Sequence, residues 1–214
     1  MKRLIAWFCL LFLGLTITAC ANQATSSETA KSADTWKSKK VLVAYFSATG
    51  NTKKVAEEIA TATGGDLYRI EAANPYAADP YQDSERIKQE AYQNKRPAVK
   101  EFLPEEKMAQ YDVIFIGSPI WWHQPAMVVC TFLEHYDLSG KAVIPFFTYG
   151  ARSYLNESMR RIYKSTPQSI HLPETLPTDI DPDNIQEEQA DDAGILMPAD
   201  VSDISTWLQA LQKK

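Results

Sequence analysis

Residues 41–62 read VLVAYFSATGNTKKVAEEIATA, a short apolar run followed by small polar residues and then by a helical pattern. The run Val41–Phe46 is almost continuously apolar, which is typical of a strand buried on both faces. Beyond the polar residues, Val55 and Ile59 recur at helical spacing, and Gly64 indicates the end of the helix. This stretch therefore predicts a strand, a tight loop and a helix, which is the first unit of an α/β fold.

The same alternation continues along the chain. Strands are predicted at residues 66–72, 113–117 and 141–148, and helices at 84–93, 125–136, 154–164 and 201–211. Strands that alternate with helices favour right-handed crossovers, and so a parallel sheet covered by helices on both faces. Such a sheet binds ligands at the carboxyl ends of its strands. A fifth strand is predicted at either 169–172 or 194–197, because residues 167–200 combine five prolines with an acidic run.

The first 40 residues are typical of targeting rather than of the fold. A basic start precedes the apolar run Leu4–Thr18, which is shorter than the roughly 20 residues that cross a bilayer. The run ends at Ile17-Thr-Ala-Cys20, which resembles the lipobox of bacterial lipoproteins. The alternative is an ordinary signal peptide with a cysteine at its cleavage site.

The lipoprotein interpretation predicts an exported protein on a bacterial membrane, with its domain facing the periplasm or the exterior. The predicted divisions are a signal peptide at residues 1–19, a lipidated Cys20 with a flexible tether to residue 40, and one domain at residues 41–214.

Charge and cysteine content exclude several kinds of partner. Without residues 1–19 the chain has 20 basic and 27 acidic residues, a net charge of −7, which disfavours binding to nucleic acid. Cys130 would be the only unmodified thiol, and its apolar helical surroundings predict packing rather than reactivity. We expect no metal site, since the sequence contains no cysteine cluster.

The loop after the first strand is rich in hydrogen-bond donors. The hydroxyls of Ser47, Thr49 and Thr52 can donate to phosphate oxygens, and the amides near Gly50 and Asn51 precede a helix, whose start attracts anions. The loop matches neither the nucleotide triphosphate nor the dinucleotide glycine pattern. A phosphate monoester fits it. A simple capped turn fits equally well, because helix starts favour the same residues.

The segment 117–123, GSPIWWH, follows the third predicted strand at the same edge of the sheet. Adjacent Trp121 and Trp122 point in different directions, so one indole should be largely exposed, where a flat tricyclic ring could cover it. The alternative is that both pack under the helix predicted from Pro125. The segment 147–150, FTYG, ends the fourth strand, and its amides could bond the polar side of such a ring. Tyr149 is either a second stacking wall or a structural tyrosine.

The segments VLVAYFSATGNTKKVAEEIA, DVIFIGSPIWW and FLEHYDLSGKAVIPFFTYG, with the intervening NPYAADPYQDSERIKQEAYQNKRPAV, resemble the flavodoxin-like proteins of the short flavodoxin-4 type. The resemblance implies a three-layer α/β/α sandwich with a five-stranded parallel sheet that binds FMN non-covalently. The phosphate contacts that it implies are Ser47, Ala48, Thr49, Gly50, Asn51 and Thr52. The implied ring contacts are Ser118, Pro119, Ile120, Trp121, Trp122, Thr148, Tyr149 and Gly150.

The chain departs from the family pattern in two places. Residues 149–153 read YGARS where family members often have a glycine-rich stretch, and residues 167–200 lack the usual clear last strand. The first departure affects the ring contacts at Thr148, Tyr149 and Gly150, and the second affects the register of the fifth strand.

The predicted function is electron transfer by an FMN-binding protein, as a carrier or as an oxidoreductase with a small acceptor such as a quinone. No catalytic acid or base is assigned, since outer-sphere transfer needs none. We also expect a protonated His123 near the ring to favour the reduced flavin, the alternative being an ordinary loop residue. A different class of function is a membrane-anchored binding module that kept the fold and lost redox activity.

Overall fold

The first strand, β1 (Val41–Tyr45), lies inside a mostly parallel sheet. The computed structural model describes residues 38–149, 154–172, 195–196 and 204–211. The further elements are α1 (Asn51–Thr63), β2 (Asp66–Arg69), a 3₁₀ turn (Pro80–Asp83), α2 (Ser84–Tyr92), α3 (Glu105–Met108), β3 (Val113–Trp121), β4 (Gln124–Pro125), α4 (Met127–Glu134), β5 (Ala142–Thr148), α5 (Leu155–Ser165), β6 (Ile170–His171), β7 (Ile195–Leu196) and α6 (Ile204–Leu211).

The parallel strands follow the order β2-β1-β3-β5-β6. Val43 of β1 pairs with Leu67 of β2 on one side and with Phe115 of β3 on the other. Two short strands are antiparallel additions, β4 to β3 and β7 to β5. The carboxyl ends of β1, β3 and β5 therefore lie next to one another at one edge of the sheet.

Alternate residues of each central strand face two separate apolar layers. Leu42 and Ile114 belong to the layer that contains buried residues of α4 and α5. Val43 and Phe115 belong to the layer that contains α1 and α6. Both faces of the sheet are covered, so the predicted flavodoxin-like three-layer fold is confirmed, with its five parallel strands.

Both segments considered for the fifth strand form strands, but only the first is parallel. Residues Ile170–His171 pair in parallel with Ala142–Val143. Residues Ile195–Leu196 pair antiparallel with Phe147–Thr148, at the other end of β5. The segment 169–172 thus contains the fifth parallel strand, although the strand itself has only two residues.

Three predicted boundaries were wrong. Strand β3 does not end at Gly117 but continues to Trp121, because it pairs with β5 as far as Pro119 and then with β4. The helix predicted from Pro125 begins at Met127, since Pro125 pairs with Ile120. The second strand ends at Arg69 rather than at residue 72.

Gly117 makes room for a side chain of the neighbouring strand β5. A Cβ atom at Gly117 would lie 2.3 Å from Cζ of Phe146, whose ring is fully buried. Any larger residue would require the Phe146 ring to shift, so glycine suits this position.

Cys130 lies in the interior of α4, and burial raises the pKa of its thiol to about 11. The prediction that it packs is confirmed. Among the described helices, none combines the length and the apolar character that crossing a bilayer requires. The predicted signal peptide, Cys20 and Gly150 lie outside the described residues, and so does the tether up to residue 37.

Candidate functional site

The loop between β1 and α1 presents backbone donors. Gly50 has a φ of 95°, in the left-handed region that glycine adopts without strain, and its amide donates to Ser47 Oγ at 3.1 Å. The amide of Lys54 donates to the Gly50 carbonyl. The amides of Asn51 to Lys53 therefore precede the helical ladder, and no side chain caps the helix at Gly50. This arrangement suits an anion.

A cation approaches the same loop from the neighbouring strand. Arg69, the last residue of β2, donates from Nη2 to the carbonyl of Ser47 at 3.4 Å. The loop has no basic residue of its own before Lys53, and the Arg69 guanidinium reaches its backbone at Ser47. Arg69 lies in the middle of the strand predicted at residues 66–72, so no signal in the sequence placed it at the edge of the sheet that carries the site.

The segment after Gly117 is a β-hairpin. Trp121 pairs with Gln124, and Trp122 and His123 form the two-residue turn between them. Their φ values are 49° and 67°, as a type I′ turn requires, but that turn normally uses asparagine and glycine. Two bulky residues at positive φ cost about 1–3 kcal/mol each and need support from their surroundings.

Helix α5 supplies part of that support. The His123 ring stacks on Tyr154, the residue before the helix, with centroids 3.6 Å apart and 11° between the planes. Arg161 donates from Nε to Oε1 of Gln124 at 2.8 Å. Arg161 also donates from Nη1 to Asn94 Oδ1 at 2.6 Å, which links the hairpin to the residues that follow α2.

The two indoles have different surroundings. Trp121 is partly buried and meets Phe46 and Tyr76 edge to face, with centroids 5.3 Å and 5.2 Å away. Trp122 is 37% exposed and has Lys88 Nζ 5.1 Å from its ring centroid. The alternative in which both indoles pack under the following helix is therefore wrong.

Tyr76 is fixed beneath Trp121 by buried charge. Its hydroxyl donates to Oε2 of Glu90 at 2.6 Å, and Arg86 Nε bonds the other oxygen of that carboxylate at 2.9 Å. Burial and the bond to Glu90 raise the pKa of Tyr76 far above its ordinary value. The phenol therefore remains a hydrogen-bond donor over the accessible pH range.

The end of β5 is tied to the loop after β1. The hydroxyls of Thr52 and Thr148 are 2.8 Å apart, and both side chains are buried. The Thr52 hydroxyl, predicted to donate to a phosphate, thus bonds the end of β5. Ser118 is also used internally, because its fully buried hydroxyl accepts the Ala126 amide at 2.9 Å.

One cavity of about 600 Å³ lies at this edge of the sheet, within the usual range for ligand sites. The predicted site residues that line it are Thr49, Asn51, Pro119, Ile120, Trp121, Trp122, Thr148 and Tyr149. The predicted residues outside its lining are Ser47, Ala48, Gly50, Thr52 and Ser118. His123, which was expected near the ring, also lines the cavity. The lining residues that the sequence prediction left without a site contact are Asp79, Pro80, Tyr81, Ser84, Ile87 and Tyr154.

Most of the missed residues belong to the segment 79–87, in the long connection after β2. Asp79 starts its 3₁₀ turn by accepting the Tyr81 amide at 3.0 Å, with Pro80 in the first position. An Asp-Pro start is a recognisable turn signal, but nothing in the sequence indicated that this turn faces the site. No group of side chains among the described residues could hold a metal ion.

The family model Flavodoxin_4, described as Flavodoxin, matches residues 40–186. This chain belongs to the flavodoxin family. The matched range contains all three strand-end segments that surround the cavity, so the flavodoxin assignment and the site geometry concern the same part of the molecule.

Solved structures agree with this flavodoxin assignment. A protein from Bacteroides eggerthii, assigned as a flavoprotein, is 40% identical with a TM-score of 0.54, over 64% of this chain and 90% of its own. A flavoprotein from Lactobacillus acidophilus, solved in complex with FMN, is 27% identical with a TM-score of 0.53, over 63% of this chain and 90% of its own. No protein with a curated description matches the sequence.

Proposed function

We propose that this flavodoxin-family protein binds FMN without a covalent bond and transfers electrons through it, as a carrier or as an oxidoreductase with a small acceptor. The observation that carries the proposal is that residues from three separate strand ends line one cavity. The FMN complex of the Lactobacillus acidophilus flavoprotein supports the choice of cofactor.

The loop after β1 fits the phosphate. The amides of Asn51 and Thr52 precede the helical ladder of α1, and the Thr49 hydroxyl lines the cavity. A phosphate dianion there would also lie near the Arg69 guanidinium, which bonds the carbonyl of Ser47. Bonds to a charged acceptor contribute about 1.5–3 kcal/mol each, so a few donors suffice for firm binding.

The hairpin and the end of β5 fit a flat ring system. Trp122 and Tyr149 line the cavity with partly exposed aromatic rings, and Ile120 adds apolar surface. Aromatic stacking contributes about 0.5–1.5 kcal/mol per pair beyond the burial of apolar area. These residues would orient the ring and exclude water from it.

Bound FMN supplies the one-electron and two-electron chemistry, and the protein tunes it. The acidic chain disfavours added negative charge on the reduced cofactor and should lower its potential. Outer-sphere electron transfer requires no proton donor at a fixed atom, so no catalytic acid or base is assigned.

The test is to titrate the chain from residue 20 onwards with FMN. Tryptophan fluorescence and visible absorbance monitor the binding. We expect a yellow complex with one FMN per chain and quenching of the tryptophans. Reduced nicotinamides and quinones are then tried as electron donors and acceptors. A protein that remains colourless, with fluorescence unchanged at saturating FMN, would support the alternative of a binding module without redox activity.

We also propose that the mature protein is exported and anchored through a lipid on Cys20. The support is the basic start, the apolar run and the lipobox-like sequence before Cys20. In bacterial cells, labelled palmitate should enter the protein, and the chain should stay with the membrane fraction. The Cys20→Ala chain should lose both the label and the membrane association, whereas equal labelling of the two chains would contradict the proposal.

A further inference from the structure

The segment 79–87 forms a wall of the cavity that the flavin-binding loops do not account for. Five of the lining residues come from it, namely Asp79, Pro80, Tyr81, Ser84 and Ile87. The segment lies in the connection between β2 and β3, so it belongs to none of the three strand ends that fit FMN. These lining residues leave part of the cavity wall without an assigned FMN contact.

This wall has a defined shape before any ligand binds. Asp83 Oδ2 accepts the Ala77 amide at 2.6 Å, and Asp79 Oδ1 accepts the Tyr81 amide at 3.0 Å. Arg86 donates to the carbonyls of Pro75 and Asn74 at 3.1 Å and 2.9 Å. A preformed site loses little conformational entropy on binding, as ligand pockets generally require.

The chemistry of the wall is aromatic at the mouth and apolar at the base. Tyr81 is 88% exposed although it lines the cavity, and Ile87, which also lines it, is buried. The exposed phenol ring offers a flat face to an aromatic molecule, and stacking there removes apolar surface of both rings from water.

The part of the lining next to Tyr81 carries the negative charge of Asp79. Asp79 is a lining carboxylate, and the lining includes no lysine or arginine among the residues that the structure describes. Lys88 Nζ lies 5.1 Å from the Trp122 ring centroid, but Lys88 is not among the lining residues. A sulfonated ring beside Tyr81 would therefore meet the like charge of Asp79.

We propose that the space between Tyr81 and the hairpin binds the second redox partner, a flat uncharged aromatic molecule, and that Asp79 disfavours anionic ones. This inference rests on the proposed function, because the partner exchanges electrons with bound FMN. A neutral naphthoquinone serves as the probe. It gains two electrons from the reduced cofactor and two protons, from that cofactor and from water, and leaves as naphthoquinol while the cofactor is oxidised.

The test is anaerobic stopped-flow oxidation of the FMN-loaded protein, reduced beforehand with dithionite and desalted, by naphthoquinone or by its sulfonate. Tyr81→Ala should raise the apparent dissociation constant for naphthoquinone about 3- to 10-fold, with the dissociation constant of FMN unchanged. Leu67→Ala, an exposed apolar residue on β2 outside the cavity lining, is the matched control and should leave both constants unchanged.

Asp79→Asn tests the charge. At low salt it should improve oxidation by the sulfonate relative to naphthoquinone by about 2- to 5-fold, and added salt should remove the gain. Glu106→Gln makes the same change in net charge at the start of α3, which precedes β3 and so lies at the opposite edge of the sheet, and it should leave the ratio unchanged.

Two results overturn the proposal, and they are distinguishable. If the protein binds FMN and naphthoquinone oxidises it with the same constants in Tyr81→Ala, the acceptor binds elsewhere and the flavin function stands. If the titration shows that the protein does not bind FMN, both the proposed function and this inference are wrong.

Discussion

The loop after β1 and the hairpin after β3 line the same cavity, but their conformations have different origins. The loop is set locally, by the left-handed Gly50 and by its hydrogen bond to Ser47, three residues away. The hairpin is set from a distance, since Tyr154 and Arg161 contact its turn from another helix. A local motif can be predicted from a few residues, whereas the hairpin exists only in the folded chain. Four predictions test or refine this contrast.

The largest effect is expected from Trp121→Ala. The substitution removes the edge-to-face contacts with Phe46 and Tyr76 and should lower the free energy of unfolding by about 2–3 kcal/mol, less than for a fully buried aromatic residue. Trp122→Ala is the matched control, because that indole is 37% exposed and should cost less than about 1 kcal/mol. Urea unfolding measures both, and equal losses would mean that the hairpin is not held through Trp121.

The second prediction asks whether the loop after β1 is as independent as its local bonds suggest. Thr52→Val leaves the buried Thr148 hydroxyl without its 2.8 Å partner, so we expect a loss of about 1–3 kcal/mol, and Thr148→Val should cost a similar amount. Because the second substitution removes the orphaned group, the double variant should be no less stable than either single variant. Additive losses in urea unfolding would show that the two hydroxyls do not depend on each other.

The third prediction separates the two regions by their ligand contacts. Thr49→Ala should weaken FMN binding about 10-fold and leave riboflavin binding unchanged, because riboflavin lacks the phosphate. Trp122→Ala should weaken both ligands by the same factor, since it touches the ring part of the site. The measurement is fluorescence titration with both ligands. Equal effects of Thr49→Ala on FMN and riboflavin would place the phosphate elsewhere.

The smallest effect concerns pH and the supports of the hairpin. Hydrogen bonds from the Arg96 guanidinium hold the pKa of the Glu134 carboxyl below its usual value, against a smaller opposing effect of burial. A carboxyl with a lowered folded-state pKa stabilises the fold above its unfolded pKa, near 4.5, and this contribution is lost as the pH falls through the folded value. Stability should therefore decline below about pH 4.5.

The variant Glu134→Gln tests whether protonation of this carboxyl causes the loss of stability at low pH. It should flatten the low-pH part of the stability curve measured by urea unfolding between pH 3 and 7. Arg96 also donates a hydrogen bond to Asn94, which accepts another from Arg161. Because Arg161 bonds Gln124, the Glu134 carboxylate belongs to the hydrogen-bond network that reaches the hairpin. An unchanged curve in the variant would place the acid sensitivity in other carboxyls.

The fold was predictable because its signals are local and repeated. Buried strands, the helix spacing after Gly50 and the left-handed Gly64 at the end of α1 each depend on neighbouring residues. The wrong boundaries lie where tertiary pairing overrides local pattern. Pro125 is a favourable first helical residue in isolation, yet it pairs with Ile120 because β3 continues past Gly117.

The candidate site also contains some residues that the sequence indicates and others that only the fold brings to the cavity. Thr49 and Asn51 follow a recognisable strand-to-helix loop, and the two tryptophans stand out by composition alone. The wall formed by Asp79 and Tyr81 was missed because hydrogen bonds from Arg86 to Asn74 and from Tyr76 to Glu90 hold the preceding loop against α2 in the folded chain. No spacing rule marks such a partner.

Pro145 has a consequence for the outer edge of β5. The Ala142 amide bonds Asp112 on the side of β3, and the Val143 carbonyl accepts the Leu172 amide on the other side, so odd-numbered positions of β5 point outward. Between the two residues paired with β6 and the two paired with β7, the outward nitrogen is that of Pro145, which has no hydrogen to donate. Because Pro145 is buried and has no amide hydrogen, the gap between β6 and β7 leaves no outward amide of β5 in need of a partner at that position.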